Sequence, residues 1–578
     1  MLRLRTCKSF SQKKVTKNGF SSCCTGVQTR YASYLANPQN MKSEYDAVVV
    51  GGGHNGLISA TYLAKHGLKV GVFERRHVVG GAAVTEEIIP GYKFSRASYV
   101  LSLLRPLVIK ELELQKFGLE VYPRSTAAFT PVLDGPDKHR YLMLSSDREI
   151  TRQEISKFSK KDAKAYFEYE AMIEKMAFAI KPLLDRPPPT VEGPMFEILR
   201  SLMPTYKAAR KLGSDLPLFY ELMTAPITKI LSRWFESEPL KATLATDGVI
   251  GAMLSPHSHG SGYVLLHHVI GEVNNVPGAW GYVKGGMGGV SDAIARCANK
   301  HGVDIFVSQK VDHIDIDNNQ TMGIVLEDGK FIKSKNVLSN ATPHVTFKHL
   351  VQDNVVYDEQ YKKQVSQIDY TSPVTKINVA VNALPNFTAF PNQSHNEVGE
   401  QHKGTIHLNS ESIHLIHDAY LDAINGIPSK TPMIEMCIPS SVDQTLSPPG
   451  HHVVSLFTQY TPYYLKGEKW SESDRNAYVT AVFENIEKYA PGFQESVVGV
   501  DALLPSDLED VFGLTGGNIF HGSMSLDQLL TSRPTTQGSS HMTPIQGLFL
   551  CGSGTHPGGG VMGASGRLAA MTLLKERR

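Results

Sequence analysis

Residues 44–81 read EYDAVVVGGGHNGLISATYLAKHGLKVGVFERRHVVGG, and the fold turns on them. Tyr45 to Val50 is a short apolar run of the kind that forms a buried strand. Gly51, Gly53 and Gly56 follow at once as G-x-G-x-x-G. Asn55 to His66 reads as a helix that Gly67 can close, and Leu68 to Phe73 is a second strand ending at Glu74. Each glycine has a physical task. Gly51 turns the chain off the strand, Gly53 leaves room for a pyrophosphate against the backbone, and Gly56 lets helix and strands pack closely. The helix amino terminus offers free N–H groups to the phosphates, with His54 and Asn55 among the candidate cofactor contacts. Glu74, 18 residues past Gly56, stands where an acid accepts hydrogen bonds from ribose hydroxyls.

The next residues, Glu74-Arg75-Arg76 and then Gly80-Gly81, resemble the extension found in FAD-dependent oxidases and desaturases of the glutathione-reductase-type fold. The resemblance implies that Arg75, Arg76, Gly80 and Gly81 lie along the ribose and pyrophosphate of FAD. Two further stretches carry it. One runs from WGYVKGGMGGV at 280–290 through a helix, GVDIFVSQKVDHIDI at 302–316, a hairpin at Glu327-Asp328-Gly329 and VLSNA ending at Ala341. It is similar to the phytoene desaturase and carotenoid isomerase-like group, where the backbone at the Val311 position meets the adenine. The other is IQGLFLCGSGTHPGGGVMGASGRLAA at 545–570, which resembles that family's second FAD motif. Gly552, Gly554, Gly563 and Ala564 are thereby implied as flavin-side contacts, with the last helix aiming its positive end at the flavin ring. Gly558, Gly560 and Gly563 also spell G-x-G-x-x-G. No second strand fits before residue 578, so a second dinucleotide site is rejected. The Gly53–Leu57 sequence G-H-N-G-L replaces the I-G-G-L of many carotenoid enzymes, so a carotenoid substrate is not implied.

The expected fold class is α/β, α+β overall: a Rossmann-like FAD-binding domain interleaved with a discontinuous substrate domain of antiparallel sheet plus helical cap. The segments are 44–130, 276–345 and 510–578 for the FAD domain. Residues 131–275 and 346–509 form the substrate domain. Within it, Tyr166, Tyr169, Ile173, Met176, Ala177 and Ile180 recur at helical spacing after a capping-box-like start at Ser159 and Asp162. Helical sequence continues to about Ala245, with breaks expected at Pro204, Pro226 and Pro239. Strand-like runs at 376–381, 405–408, 433–438 and 453–457 suggest an antiparallel sheet.

The chain has 578 residues, 41% hydrophobic and 20% charged, with a formal net charge of +2. This is ordinary globular composition, and it argues against a nucleic-acid partner. Residues 1–43 hold eight Lys or Arg and no acid before Glu44. A basic, Ser-rich start of this kind reads as a mitochondrial transit peptide, matrix-directed, with a basic tail of no address as the alternative. No run of about 20 apolar residues is present, so no spanning helix is expected, and peripheral membrane contact is left open. Six cysteines include no C-x-x-C or C-x4-C pair, which removes thiol–disulfide exchange from consideration. His257, His259, His267 and His268 invite a metal reading, but no third ligand stands at typical spacing. They are expected to be loop and helix-surface residues, with no metal.

The expected activity is hydride transfer from an apolar or amine-like small molecule to FAD, with oxygen or a quinone as the final oxidant in the absence of a separate NAD motif. His54, Glu86 and His556 are candidates to stand near the flavin, and no catalytic base is assigned. Two alternatives share the fold: a flavin amine oxidase, and a binding protein without redox work, as in Rab GDP-dissociation inhibitors.

Overall fold

The structure is a computed structural model that describes residues 33–577 except 191, 192, 395 and 540. The basic start up to residue 32 lies outside the described residues. Residues 33–43 do not behave as a detached leader. Tyr34 is 2% exposed and donates from its hydroxyl to Asp292 Oδ1 at 2.8 Å, while Ala36 N–H donates to Ile305 O at 2.8 Å. Packing on the body is therefore already in place about ten residues before the boundary drawn from the first acid, because an aromatic ring outweighs the local charge pattern.

Two sheets organise the chain. The first is five-stranded and wholly parallel, in the order Asp304–Phe306, Val70–Phe73, Ala47–Val50, Val337–Ser339, Leu548–Leu550. Its strands are short, apolar and covered on both faces, as a parallel sheet requires. One face receives the helix α1 (His54–Lys65) together with Gly288–Lys300 and Ala564–Glu576, through Leu57, Leu63, Ile294 and Leu573. The other receives a three-stranded antiparallel unit, Val311–Asp317, Gln320–Leu326 and Phe331–Lys333, with Phe347 and Tyr361.

The second sheet has seven strands, in the order Val497–Leu503, Thr375–Val381, His452–Gln459, Met433–Cys437, Thr405–Leu408, Thr126–Pro131, Tyr141–Ser145. It is mixed, not antiparallel throughout, since Thr405–Leu408 pairs parallel with Thr126–Pro131. The parallel partner comes from far earlier in the chain, which no local turn signal announces. The strand Thr126–Pro131 also straddles the edge drawn at residue 130 and belongs to this sheet. One face packs Ile377, Val379, Ile434, Met436 and Leu456 against Val482 and Ile486 of the helix Glu472–Tyr489. The opposite face is polar and is taken up below.

A helical cap is built from α2 (Lys160–Ile180), α3 (Met195–Leu212), α4 (Leu216–Thr224) and the helices Ile227–Trp234, Glu238–Thr246 and Ser261–Val269. Ser159 caps α2, its hydroxyl accepting from Asp162 N–H at 3.0 Å. Pro226 and Pro239 stand at helix starts, where a missing N–H costs nothing, but Pro204 lies inside α3 instead of ending it.

Candidate functional site

The two glycine-rich turns leave the carboxyl ends of parallel strands, the edge where open α/β sheets bind ligands. They meet there. Gly56 is obligatory: a Cβ would lie 2.3 Å from Gly51 O. At Gly53 a Cβ would lie 2.6 Å from Asn340 Nδ2, and at Gly552 it would lie 2.8 Å from Asn340 O, so the Asn340 turn is held between the two motifs. Gly554 is pressed against Pro343, with 2.4 Å to its Cδ. Asn55 ties the motifs together. Its Nδ2 donates to Ser553 Oγ at 3.0 Å, and its Oδ1 accepts from Gly566 N–H at 3.3 Å. Gly563, at φ 74°, caps the last helix, and Ala564 is that helix's first residue. Gly80 N–H donates to Gly52 O at 2.8 Å, and a Cβ on Gly81 would stand 3.4 Å from Gly53 Cα, so the paired glycines close on the first turn.

Glu74 is buried at the end of its strand. Its Oε2 accepts from Gly52 N–H at 2.7 Å and its Oε1 from Arg76 N–H at 2.8 Å. Burial raises its carboxyl above the usual range. The expected contacts of the neighbouring arginines divide. Arg75 spends its guanidinium on the carbonyls of Asp510 and Val511 at 2.9 and 3.2 Å. Arg76 Nη2 donates to both carboxylate oxygens of Glu86 at 2.8 Å and the guanidinium stacks over Phe512 at 5.1 Å, while its Nη1 is buried with no partner. Val311 opens its strand two residues after Gln309, whose N–H donates to Glu74 O at 2.9 Å. His54 is the first residue of α1, and its Nε2 is buried with no partner. Side-chain-free turns, two helix amino termini, a ribose-type acid and orphaned donors at Arg76 and His54 fit an extended dinucleotide along this edge.

Three histidines and one arginine stand behind the carboxyl-terminal turn. Burial pushes His54 down to about 4, His521 to about 3 and His556 to about 4, so all are neutral at pH 7. His556 Nε2 meets Leu183 O at 3.1 Å, which ties the turn to the cap. Arg533 is fully buried and donates to the carbonyls of Phe520, Gly522, Ser523, Gln528 and Ser553, with no carboxylate partner among the described residues. His267 and His268 are likewise buried, not surface residues as expected. They pack edge to face on one another and beside Phe520, and burial lowers them to about 3 and about 4. His257 and His259 are exposed.

The polar face of the seven-stranded sheet carries groups that sequence reading missed. Lys376 is 1% exposed and donates from Nζ to Asn378 Oδ1 at 2.5 Å. Burial brings its ammonium down to about 7. Tyr99, from the segment that follows Gly81, donates to Glu435 Oε2 at 2.8 Å, and its ring lies 5.7 Å below Lys376 Nζ. Burial and the nearby Asp247 lift Glu435 to about 8. A relay runs from the nucleotide motif to this face. Arg76 pairs with Glu86, Arg96 bridges Glu86 at 3.4 Å and Asp501 at 3.2 Å, and Asn378 donates to Asp501 Oδ2 at 3.2 Å. The signal was present as polar residues set at alternate positions among apolar ones, Lys376 and Asn378 in TKINVAV, Thr405 and His407 in TIHL and Glu435 in MIEMC, although both faces are buried.

Glu435 gives a testable pH dependence. Its folded value lies above its unfolded one, so its contribution to stability is full below about pH 4.5 and is lost as pH rises through about 8. Thermal melts of Glu435→Gln should therefore gain on wild type between those limits, by about 5 kcal/mol. Parallel melting curves for the two proteins would remove the group from the buried face.

The profile of the family described as flavin containing amine oxidoreductase matches residues 56–574. The chain belongs to that family. It is 54% identical over 548 residues to pyridine nucleotide-disulfide oxidoreductase domain-containing protein 2 of Rattus norvegicus, covering 93% of this chain and 94% of that one. It is 24% identical to a limonene dehydrogenase component of Castellaniella defragrans, over 92% of this chain and 94% of the relative. An oxidoreductase structure from Methanosarcina mazei superposes with a TM-score of 0.57 at 18% identity, over 92% and 99% of the two chains, which shows a shared fold. Among the described residues no helix is long and apolar enough to cross a membrane.

Proposed function

We propose that the protein is an FAD-dependent oxidoreductase that removes a hydride from an uncharged, apolar small molecule. The observation that carries this reading is the junction of the two glycine-rich turns through Asn55, which leaves one dinucleotide edge with two helix amino termini aimed along it. Bound FAD supplies the hydride acceptor. The chain's own part is to orient the substrate and handle the accompanying proton. Lys376 Nζ, with its affinity brought near neutrality, is the group matched to that task, and Tyr99 and Asn378 fix its position.

Of the two substrate classes, the apolar one is favoured by charge. Glu435 holds its proton at pH 7 and so offers a cationic amine no counter-charge at that position, which supports the apolar reading. The limonene dehydrogenase relative, whose name specifies a hydrocarbon, supports the same choice. Oxygen or a quinone is the proposed final oxidant, and the basic start of the chain supports a mitochondrial address, testable by import of a fluorescent fusion.

The purified protein should be yellow and should bleach with dithionite. In an anaerobic screen, apolar neutral compounds should bleach it and primary amines should not. Lys376→Met should retain flavin yet slow substrate bleaching by about 100-fold or more. Bleaching by amines alone would overturn the substrate class, and a colourless protein that refuses FAD would favour the binding-protein alternative.

A further inference from the structure

The helix α3 turns its apolar residues outward. Met195, Phe196, Leu199, Leu202, Met203 and Tyr206 are all exposed, up to 73% at Phe196, while Ala208 and Leu212 face inward. The spacing 196, 199, 203, 206 places them in one stripe along the helix. Phe178 of α2 and Tyr220 of α4 extend the patch at 65% and 70% exposure. A contiguous exposed apolar surface of this kind marks an interaction site. Along one border of the stripe stand Arg200, Lys207 and Lys211, with Arg210 near its end, all exposed. Among the described residues none of these four meets a carboxylate, and Lys211 Nζ instead lies over the Phe178 ring at 4.6 Å. Glu197 is the single acid in α3.

We propose that the outer face of α2, α3 and α4 seats the protein on an anionic lipid bilayer. The stripe enters the boundary between headgroups and acyl chains, and the basic border meets the phosphates. Charge selects this occupant over a second copy, because within α3, which carries the stripe, four cations stand against Glu197 alone, so pairing two such helices leaves most of that charge unmet. The same cap helices pack inward on Met562 and Ala564, and His556 holds Leu183 O at the end of α2. The docked face therefore lies across the cap from the carboxyl-terminal turn, which suits delivery of an apolar substrate out of the bilayer. Docking itself does not depend on the redox reading.

The test is co-sedimentation of the full chain with phosphatidylcholine vesicles, with and without phosphatidylglycerol. Wild type should pellet with the anionic vesicles and be released by salt. The triple variants Phe196→Glu, Leu199→Glu, Met203→Glu and Arg200→Glu, Lys207→Glu, Lys211→Glu should each lower partitioning about 100-fold. Flavin content and melting should be unchanged, since the altered side chains are exposed. The basic start of the chain is common to every form, so only differences among them count. Hydrogen exchange on wild type supplies a reading free of variants, with slowing across 195–212 only when anionic vesicles are present. Wild type left in the supernatant, variants that pellet equally, or unchanged exchange in that segment would overturn the proposal. So would a wild-type dimer that the variants convert to monomer, since the face would then be a contact between copies.

Discussion

Glu74→Ala is expected to yield a folded, colourless protein. The substitution removes the acceptor for Gly52 N–H and Arg76 N–H and leaves the first turn without its acid. Hydrogen bonds to a charged group contribute about 1.5–3 kcal/mol each, so the loss of two such links and of the ribose contact should weaken FAD binding by at least 100-fold. Glu74→Gln keeps one carbonyl oxygen and should fall between the two. The measurement is flavin retained through gel filtration, followed by titration of apoprotein with FAD. Full retention by the alanine variant would mean that the nucleotide lies elsewhere.

Arg533→Met should strongly destabilise the fold. Five carbonyls converge on this guanidinium, and one of them, at Ser553, belongs to the turn that Asn55 also holds. Burial lowers Arg533 only to about 10, so it stays a cation at neutral pH. A methionine fills the volume and donates nothing, which strands buried carbonyls at a cost of about 3–5 kcal/mol. The thermal midpoint should fall by roughly 3–5 °C, with flavin loss, because the 520–533 loop and the carboxyl-terminal turn come apart together. Arg533→Lys should recover only part of this, since three ammonium donors cannot serve five acceptors in a fixed fork. Full recovery by lysine would show that charge, not geometry, is what the loop requires.

Local backbone demands were legible in the sequence. Gly51, Gly56 and Glu74 could be placed because a turn, a close approach and an acid at fixed spacing leave no alternative residue types, and the strands at 405–408 and 433–437 were visible as strand-like runs at 405–408 and 433–438. Long-range pairing was not legible. Nothing near Thr405 announces a parallel partner at Ala128, and nothing near Arg533 announces five carbonyls. The outward turn of the α3 stripe was hidden for a different reason, since periodicity reports that a helix has an apolar face and not where that face points. The same limit misplaced His267 and His268, whose polar character suggested solvent while Phe520 and Trp280 enclosed them. Lys376 and Glu435 were missed because titratable side chains in a strand suggest a wetted surface, and only the assembled sheet shows that face to be dry.

The relay of Arg76, Glu86, Arg96, Asp501 and Asn378 joins the nucleotide edge to the buried Lys376. A polyanion laid against Arg76 competes with Glu86 for that guanidinium, frees Glu86 to draw on Arg96, and so loosens the grip of Arg96 on Asp501. An Asp501 carboxylate less neutralised by Arg96 favours the ammonium form of Lys376. Flavin laid against Arg76 would thus favour proton uptake at Lys376, and linkage would make the influence mutual. Reconstitution with FAD in weak buffer near pH 7 should take up protons, and Glu86→Gln should abolish that uptake without emptying the nucleotide edge.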